Sequence, residues 1–243
     1  MTEQTHTVQA HLGIDAAGYD TAIRRFVPHY DEMLAVTVGT VASALLHTSP
    51  ASGRREPEII ELGAGTGAVI DALAAQIFAA RFTAIDCDPQ MLATARARLA
   101  QWQPRVRFVQ ARFADGLAAA SSVEVIVASL ALHHERDLRA KTKLYRRIFS
   151  TLSPGGFFVN ADVTLAAAGL PRGLALDAWV AHQTASGIPE SEARRQLEKW
   201  QREEDRYFTI DEELGALAEA GFSACDVVWR RGPMTVLLAA REQ

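Results

Sequence analysis

The stretch "EIIELGAGTGAVIDAL" (residues 58–73) decides the fold that this sequence predicts. A short apolar strand runs into a loop with three glycines, and an apolar helix follows directly. Glycines at such a junction let the backbone turn sharply and approach a ligand with no Cβ in between. The loop therefore predicts a binding site for a phosphate or nucleoside ligand between the strand and the helix.

The segments around this loop alternate between strand-like and helix-like patterns, which predicts right-handed βαβ crossovers and a mostly parallel sheet with helices on both faces. Near the carboxyl end, two strands are joined so tightly at Gly232-Pro233 that they must run antiparallel. The predicted strands cover residues 58–62, 81–86, 106–110, 123–130, 155–163, 224–230 and 234–240, and the predicted helices between them cover 89–102, 136–152 and 211–222.

The chain is expected to form one domain over residues 19–243, preceded by a flexible tail at 1–18. Apolar residues at helical spacing predict a helical prelude over 19–48, in which Pro28 begins the second helix. Residues 164–208 interrupt the alternation with two polar helices that contain tryptophan. We interpret this segment as an insertion that forms a lid.

The composition and the cysteines indicate which partners and which cellular compartment to expect. The chain has 243 residues, of which 49% are hydrophobic, and its 25 basic and 29 acidic residues give a formal charge of -4. This balance disfavours nucleic acid as a partner. Cys87 and Cys225 have no CxxC pairing and predict free thiols in a reducing compartment, and no signal peptide or membrane-spanning run is seen. A cytoplasmic location follows as an expectation.

Two carboxylates bear on the identity of the ligand. The glycine loop also fits a dinucleotide fingerprint, with Ala68 in its last place and Asp86 at the distance of a ribose contact. Glu61, directly before the loop, would repel a pyrophosphate but attract a cationic ligand tail. The residues favour a cationic cofactor and leave a nicotinamide dehydrogenase as an alternative.

Several motifs taken together resemble the class I S-adenosylmethionine-dependent methyltransferases over roughly residues 56–163 and 209–240. The resemblance implies a Rossmann-like α/β fold with a seven-stranded, mostly parallel sheet, an antiparallel last strand and S-adenosyl-L-methionine at the carboxyl ends of the strands. The motifs are "ELGAGTG" (61–67), "FTAIDCDPQMLATARARL" (82–99), "VEVIVASLALHH" (123–134), "LYRRIFSTLSPGGFFVNAD" (144–162) and "LAEAGFSACDVVW" (217–229).

The same resemblance implies the residues that bind the cofactor. The loop glycines would line the methionine moiety, Glu61 would support its ammonium, and Asp86 would accept both ribose hydroxyls. The chain departs from the pattern after the third strand, where Arg112 replaces a usual aspartate, so adenine is left to Phe113 or Asp115. The implied set is Tyr19, Tyr30, Glu61, Gly63, Ala64, Gly65, Gly67, Asp86, Cys87, Asp88, Met91, Arg112, Phe113, Ser129 and Leu130.

Methyl transfer needs alignment, exclusion of water and in some cases a base. His133 and His134, just past the fourth strand, are the candidate catalytic bases, with packing or helix capping as the alternative. No metal is predicted, because the side chains of adjacent histidines are expected to diverge and Asp137 alone would join them. The candidate substrate-binding residues are Asp162, Trp179, His182 and Tyr207, for which packing is again the alternative.

The sequence thus predicts methyl transfer to an oxygen or nitrogen of a small-molecule acceptor, with a homodimer expected only by analogy. The alternatives are a tRNA-modifying enzyme, supported by the basic segment 136–147, and a non-catalytic S-adenosylmethionine-binding protein, supported by Arg112. The prelude "YDTAIRRFVPHYDEM" (19–33) also resembles bacterial carboxy-S-adenosylmethionine synthase. The helix before Gly221 has no counterpart of that family's carboxylate-binding arginine.

Overall fold

The computed structural model describes residues 13–48, 56–118, 122–203 and 205–242. The first twelve residues of the predicted tail lie outside these ranges. Among the described helices, none has the length and the apolar content needed to cross a membrane. The strands are β1 (Glu58–Leu62), β2 (Arg81–Asp86), β3 (Val106–Gln110), β4 (Val123–Ser129), β5 (Leu152–Val163), β6 (Ala224–Arg231) and β7 (Met234–Ala240).

The helices connect these strands and add two further layers. Short 3-10 turns follow two of the connections, at Leu99–Trp102 and Leu132–His134. The helices are α1 (Tyr19–Phe26), α2 (Tyr30–Thr48), α3 (Ala68–Gln76), α4 (Pro89–Arg98), α5 (Phe113–Ala118), α6 (Leu138–Thr151), α7 (Gly169–Ala185), α8 (Glu190–Glu203) and α9 (Ile210–Ala220).

The seven strands form one sheet in the order β3-β2-β1-β4-β5-β7-β6. β1 to β5 pair in parallel, and β7 runs antiparallel to both of its neighbours. The direction reverses because only a tight turn at Gly232, with φ +58°, separates β6 from β7. The predicted fold class is confirmed. The chain switches direction across the sheet between β1 and β4, so their carboxyl ends form the crevice where such sheets bind ligands.

Helices cover both faces of the sheet, as the apolar strands require. Ile59 and Ile60 are adjacent on β1 but belong to two different buried clusters, because successive strand residues point to opposite faces. One cluster includes Met33 of α2 and Trp179 of α7, and the other includes Tyr145 of α6. Burial on both faces explains why the strands read as continuous apolar runs rather than alternating ones.

Several predicted boundaries were wrong by one to four residues, and two of these differences involve a left-handed backbone. The second helix of the prelude begins at Tyr30 rather than at Pro28, because His29 has a left-handed φ of +58° that separates α1 from α2. β5 begins at Leu152 rather than at residue 155. Gly155 in this stretch also has a left-handed φ, of +79°, which allows the strand to bend while it continues.

The segment between β5 and α9 packs onto the prelude. The indole nitrogen of Trp179 donates a hydrogen bond to the carbonyl oxygen of Phe26 at 2.6 Å, and the side-chain amide of Gln183 donates to the same oxygen at 3.1 Å. Both side chains are fully buried. Helix α7 is therefore fixed to the end of α1, and both elements lie over the carboxyl edge of the sheet.

Helix α1 is also tied to the glycine loop. Asp20 accepts a hydrogen bond from the hydroxyl of Thr66 at 2.7 Å and forms an ion pair with Arg98 of α4. Arg98 in turn donates to the Thr66 hydroxyl oxygen at 2.8 Å. The prelude is thus joined to the loop by three polar side chains, none of which the sequence analysis singled out.

Replacement of Asp20 by asparagine should loosen α1. Hydrogen bonds to charged groups contribute about 1.5–3 kcal/mol, so the amide hydrogens of residues 19–26 should exchange roughly tenfold faster or more. The measurement is hydrogen exchange of the native protein by mass spectrometry. Asp31→Asn is the matched control, because Asp31 forms an exposed ion pair with Arg24 on the same segment. Equal exchange in both variants would contradict the role of Asp20.

Candidate functional site

The glycine loop has a backbone that other residues adopt with difficulty. Gly63, Gly65 and Gly67 have φ values of +70°, +52° and +82°, all in the left-handed region. A Cβ on Gly63 would lie only 2.5 Å from the Cβ of Ala131, so this position also lacks space for a side chain. The loop is held in place because the amides of Gly63 and Ala64 both donate to the carbonyl oxygen of Ile85, at 2.9 and 3.0 Å.

The carboxylate of Asp86 links the glycine loop to the next loop. One oxygen accepts the amide hydrogen of Gly65 and the other accepts that of Asp88, each at 2.8 Å. Asp86 lies at the end of β2 and is largely buried, and burial raises its pKa in spite of these bonds. Each oxygen keeps a further lone pair, so the group can accept the two hydroxyls of a ribose.

Glu61 lies behind the loop rather than on its open side. Its side chain is buried, and its Oε2 has no hydrogen-bond partner among the described residues. Burial, and then the nearby charge of Asp86, raise the pKa of Glu61 well above its usual value, while a hydrogen bond from the backbone of Ile70 opposes this shift. Glu61 thus favours the neutral form unless a cation approaches it.

A cavity of about 790 Å³ opens at the carboxyl ends of β1 and β4, which lies within the roughly 300–1,000 Å³ that is typical of ligand sites. Most of the residues that the sequence predicts for cofactor, catalysis and substrate line this single space. Those on its wall are Tyr19, Gly63, Gly65, Asp86, Cys87, Asp88, Met91, Arg112, Phe113, Ser129, Leu130, His133, His134, Trp179 and Tyr207.

Six predicted residues are not on the wall of the cavity. Gly67 precedes α3 as its N-cap residue, and Tyr30 is buried at the start of α2, where the guanidinium of Arg24 lies 5.3 Å from its ring centre. His182 points to α1, with its Nε2 atom 2.9 Å from the carbonyl oxygen of Arg24. The six are Tyr30, Glu61, Ala64, Gly67, Asp162 and His182.

Arg112, which stands where the resembled family usually has an aspartate, lies at the end of the cavity near β3. Arg112 and Phe113 are on the wall, whereas Asp115 is not. Of the two ways to hold adenine that the sequence leaves open, the structure therefore favours the ring of Phe113. Asp88 has two tasks here, since it lines the cavity and also caps α4 by accepting the amide hydrogen of Gln90 at 2.9 Å.

His133 is fixed at the opposite end by Asp162 of β5. Its Nδ1 atom lies 2.6 Å from Asp162 Oδ1, and its backbone amide donates to Asp162 Oδ2 at 3.0 Å. Burial lowers the pKa of His133, but the charges of Asp162 and Asp205 outweigh burial and leave it raised. Asp162 therefore acts through the imidazole and lies behind it.

His134 and Asp205 complete this group. The rings of His133 and His134 lie 4.0 Å apart between centres, so the expectation that adjacent side chains diverge was wrong. The 3-10 turn at Leu132–His134 places both rings on the same side. Asp205 Oδ1 lies 3.3 Å from His134 Nδ1, and Asp205 Oδ2 accepts a hydrogen bond from the hydroxyl of Tyr207. We refer to His133, His134 and Asp205 as the acceptor-end cluster.

Aromatic rings enclose the space next to the acceptor-end cluster. Tyr207 lies 5.8 Å from Trp179 and 5.9 Å from His133 between ring centres, and Trp200 lies 5.9 Å from Phe26. All five residues line the cavity. This end of the site thus offers aromatic surface next to the imidazoles and the carboxylate of the cluster.

Asp205 was not among the predicted site residues, although Tyr207, two residues further on, was. Leu130 was predicted to bind the cofactor, but its unusual left-handed φ of +49° was not predicted. The amide of Leu130 donates to the carbonyl oxygen of Ala161 at 2.8 Å, which fixes the loop after β4 to β5. Such a backbone state in a large aliphatic residue has no sequence signal.

Comparisons with known proteins show which family and fold the chain resembles. Residues 59–156 match a family model described as a methyltransferase domain. Carboxy-S-adenosyl-L-methionine synthase of Helicobacter hepaticus is 21% identical over 93% of this chain and 92% of its own length. The structure of the CurJ carbon methyltransferase superimposes with a TM-score of 0.69 at 16% identity, over 97% of this chain and 61% of that one.

A third similar protein was solved with the cofactor. Human N-acetylserotonin methyltransferase in complex with S-adenosylmethionine superimposes with a TM-score of 0.55 at 18% identity, over 99% of this chain and 64% of its own. These findings confirm the predicted resemblance to the class I S-adenosylmethionine-dependent methyltransferases. They also support S-adenosylmethionine as the cofactor, in agreement with the glycine loop and the free acceptor positions on Asp86.

The buried carboxyl of Glu61 should make stability depend on pH. In the unfolded chain this group loses its proton near pH 4.5, whereas the folded protein retains the proton to higher pH. The folded state therefore loses stability as the pH rises between these two values. Glu61→Gln, which has nearly the same shape and does not ionise, should remove this loss.

We expect the Tm of Glu61→Gln to exceed that of the unchanged protein by a margin that grows as the pH rises above 4.5, because only the folded state of the unchanged protein retains the proton there. Each kcal/mol should appear as about 2–4 °C in a chain of this size. Thermal unfolding without ligand is the measurement. Glu198→Gln, at an exposed site on α8, is the control and should give a constant difference. A constant difference for Glu61→Gln as well would mean that its pKa is not raised.

Proposed function

We propose that this chain, a class I S-adenosylmethionine-dependent methyltransferase by fold and family motif, transfers the methyl group of S-adenosylmethionine to an oxygen or nitrogen of a small molecule. One observation carries the proposal. The residues suited to the cofactor and those suited to an acceptor line the same cavity, at the carboxyl ends of β1 and β4. A reaction between two bound molecules needs such a shared space.

The cofactor half of the cavity extends from the glycine loop to β3. Asp86 would accept the ribose hydroxyls, because its two oxygens are already aligned by the amides of Gly65 and Asp88. Met91 and Phe113 lie on the wall beside it and offer apolar surface to the adenine ring. The left-handed glycines allow the backbone to approach the ligand closely at the other end.

The acceptor half lies under α1, α7 and α8. S-adenosylmethionine supplies an electrophilic methyl group on a sulfonium whose departure leaves a neutral thioether. The chain itself therefore has to orient the acceptor, exclude water and receive a proton. Phe26, Trp179 and Tyr207 perform the first two tasks, since their rings enclose the space next to the acceptor-end cluster.

The acceptor's proton is proposed to leave at the acceptor-end cluster. His133 is the better placed of the two catalytic candidates, because Asp162 bonds its Nδ1 and leaves Nε2 directed towards Asp205 at 3.9 Å. Asp162 is a positioning residue rather than a substrate contact. Trp179 and Tyr207 keep their proposed role in substrate binding, whereas His182 is better explained as a contact between α7 and α1.

A small acceptor suits a cavity of about 790 Å³ better than a polymer does. The prelude and the segment after β5 both lie on the cavity wall and limit its size. The acidic charge balance supports the same choice over tRNA. Neither Cys87 nor Cys225 forms a disulfide, which supports a cytoplasmic location, and a homodimer is retained by analogy alone. The activity of the synthase from Helicobacter is not transferred, because α9 contains no arginine.

Replacement of Asp86 by alanine should weaken binding of S-adenosylhomocysteine by roughly 100-fold or more, since two bonds to a charged acceptor are lost. Isothermal titration measures this affinity. Asp115→Ala is the matched control, because Asp115 lies on α5 after the neighbouring strand β3 and off the cavity wall. A large loss in Asp115→Ala would assign adenine binding to Asp115, and unchanged affinity in Asp86→Ala would remove Asp86 from the site.

The test of the function is transfer of an isotope-labelled methyl group from S-adenosylmethionine to a panel of phenols, carboxylic acids and amines, with bulk tRNA in parallel. Label on a small acceptor would support the proposal. Label on tRNA would support the alternative enzyme of the same fold. Tight cofactor binding without transfer to any acceptor would support a non-catalytic binding protein.

A further inference from the structure

The acceptor-end cluster brings three different ligand atoms to one place. His133, His134 and Asp205 each offer one donor atom within 4.8 Å of the other two. Asp205 Oδ1 lies 3.3 Å from His134 Nδ1 and 3.9 Å from His133 Nε2. Ligand atoms about 2.0–2.2 Å from a tetrahedral zinc ion lie about 3.4 Å apart. Small side-chain rotations would bring the cluster to this geometry.

The partners behind the cluster are those that metal ligands require. A histidine that binds a metal usually donates its other ring N–H to a carboxylate, which fixes the ring. His133 has this arrangement, because its Nδ1 faces Asp162 at 2.6 Å and its Nε2 faces the cluster. Asp205 is fixed in a similar way by the hydroxyl of Tyr207 on Oδ2, which leaves Oδ1 on the side of the imidazoles.

We propose that His133, His134 and Asp205 bind one divalent transition-metal ion, with Zn²⁺ as the ion that their chemistry fits best. Two imidazole nitrogens and one carboxylate oxygen suit zinc and related ions, whereas Mg²⁺ and Ca²⁺ prefer oxygen ligands alone. Three protein ligands leave one tetrahedral position open. All three residues line the cavity, so the open position faces the acceptor.

The inference rests on the proposed function and makes it more specific. A hydroxyl bound at the open position would release its proton to solvent more readily, as water does on zinc. The oxygen would then carry the charge needed to accept a methyl group. The site therefore favours a hydroxyl-bearing acceptor over an amine, and it assigns to the ion the proton release that an imidazole would otherwise perform.

The experiment uses the untagged full chain after removal of metals with a chelator. Zn²⁺ is titrated by calorimetry, and Co²⁺ is added separately so that its visible absorption reports the coordination geometry. We expect one Zn²⁺ per chain, the intense visible bands of four-coordinate cobalt, and no comparable binding of Mg²⁺. Stoichiometry near zero, or octahedral cobalt bands, would overturn the proposal.

Single variants locate the site. His134→Ala and Asp205→Asn should each weaken Zn²⁺ binding by roughly 100-fold or more, because each removes a ligand. Asp162→Asn should weaken it by about 10–100-fold, because Asp162 acts only through His133. His47→Ala, which removes an exposed imidazole at the end of α2, should leave the affinity unchanged. Equal zinc affinity in His134→Ala, Asp205→Asn and the unchanged chain would place the ion elsewhere and overturn the assignment.

Titration of S-adenosylhomocysteine into the same samples separates the two proposals and reports whether the variants fold. Zinc binding with normal cofactor affinity supports the metal site. Cofactor binding without zinc refutes the metal site alone, and the imidazoles then act without an ion. Zinc binding without any cofactor binding refutes the proposed methyl transfer and leaves the metal site in place.

Discussion

The carboxylate of Asp86 is the constraint on which the site depends. It accepts the amide hydrogens of Gly65 and Asp88 at the same distance of 2.8 Å, and so it fixes the glycine loop to the start of α4. The same carboxylate is the group that we propose to accept the ribose hydroxyls. Its electrostatic influence reaches behind the loop, where it adds to the effect of burial on the pKa of Glu61.

The two ends of the cavity are built on different principles. The cofactor end relies on backbone shape, with left-handed glycines and aligned amides. The acceptor end relies on side chains from three separate parts of the chain, namely the turn after β4, the end of β5 and the segment before α9. Such an arrangement needs a rigid support. Beneath it, Lys141 of α6 and Glu213 of α9 form a fully buried ion pair, and Tyr145 also donates to Glu213.

Much of the fold was predictable because its signals are local. The strand before the glycine loop, the helix that Asp88 caps and the tight turn at Gly232 each follow from neighbouring residues. The start of α2 was not predictable, since the left-handed φ of His29 overrides the preference of Pro28 to begin a helix. The hydrogen bond and ion pair that Asp20 forms with Thr66 and Arg98 were also not predictable, because the three residues are far apart in the chain.

The sequence by itself determined the α/β fold class, because strand and helix patterns alternate along the chain. It also determined the glycine loop and the carboxylate at the end of β2, because these depend on spacing within one βαβ unit. Only the tertiary structure decided how the acceptor end is composed. It brought Asp205 to His133 and His134, moved Asp162 behind an imidazole, and directed His182 towards α1. The physical reason is that these contacts join side chains separated by tens of residues, and their geometry is set by how α7, α8 and the prelude pack over the sheet.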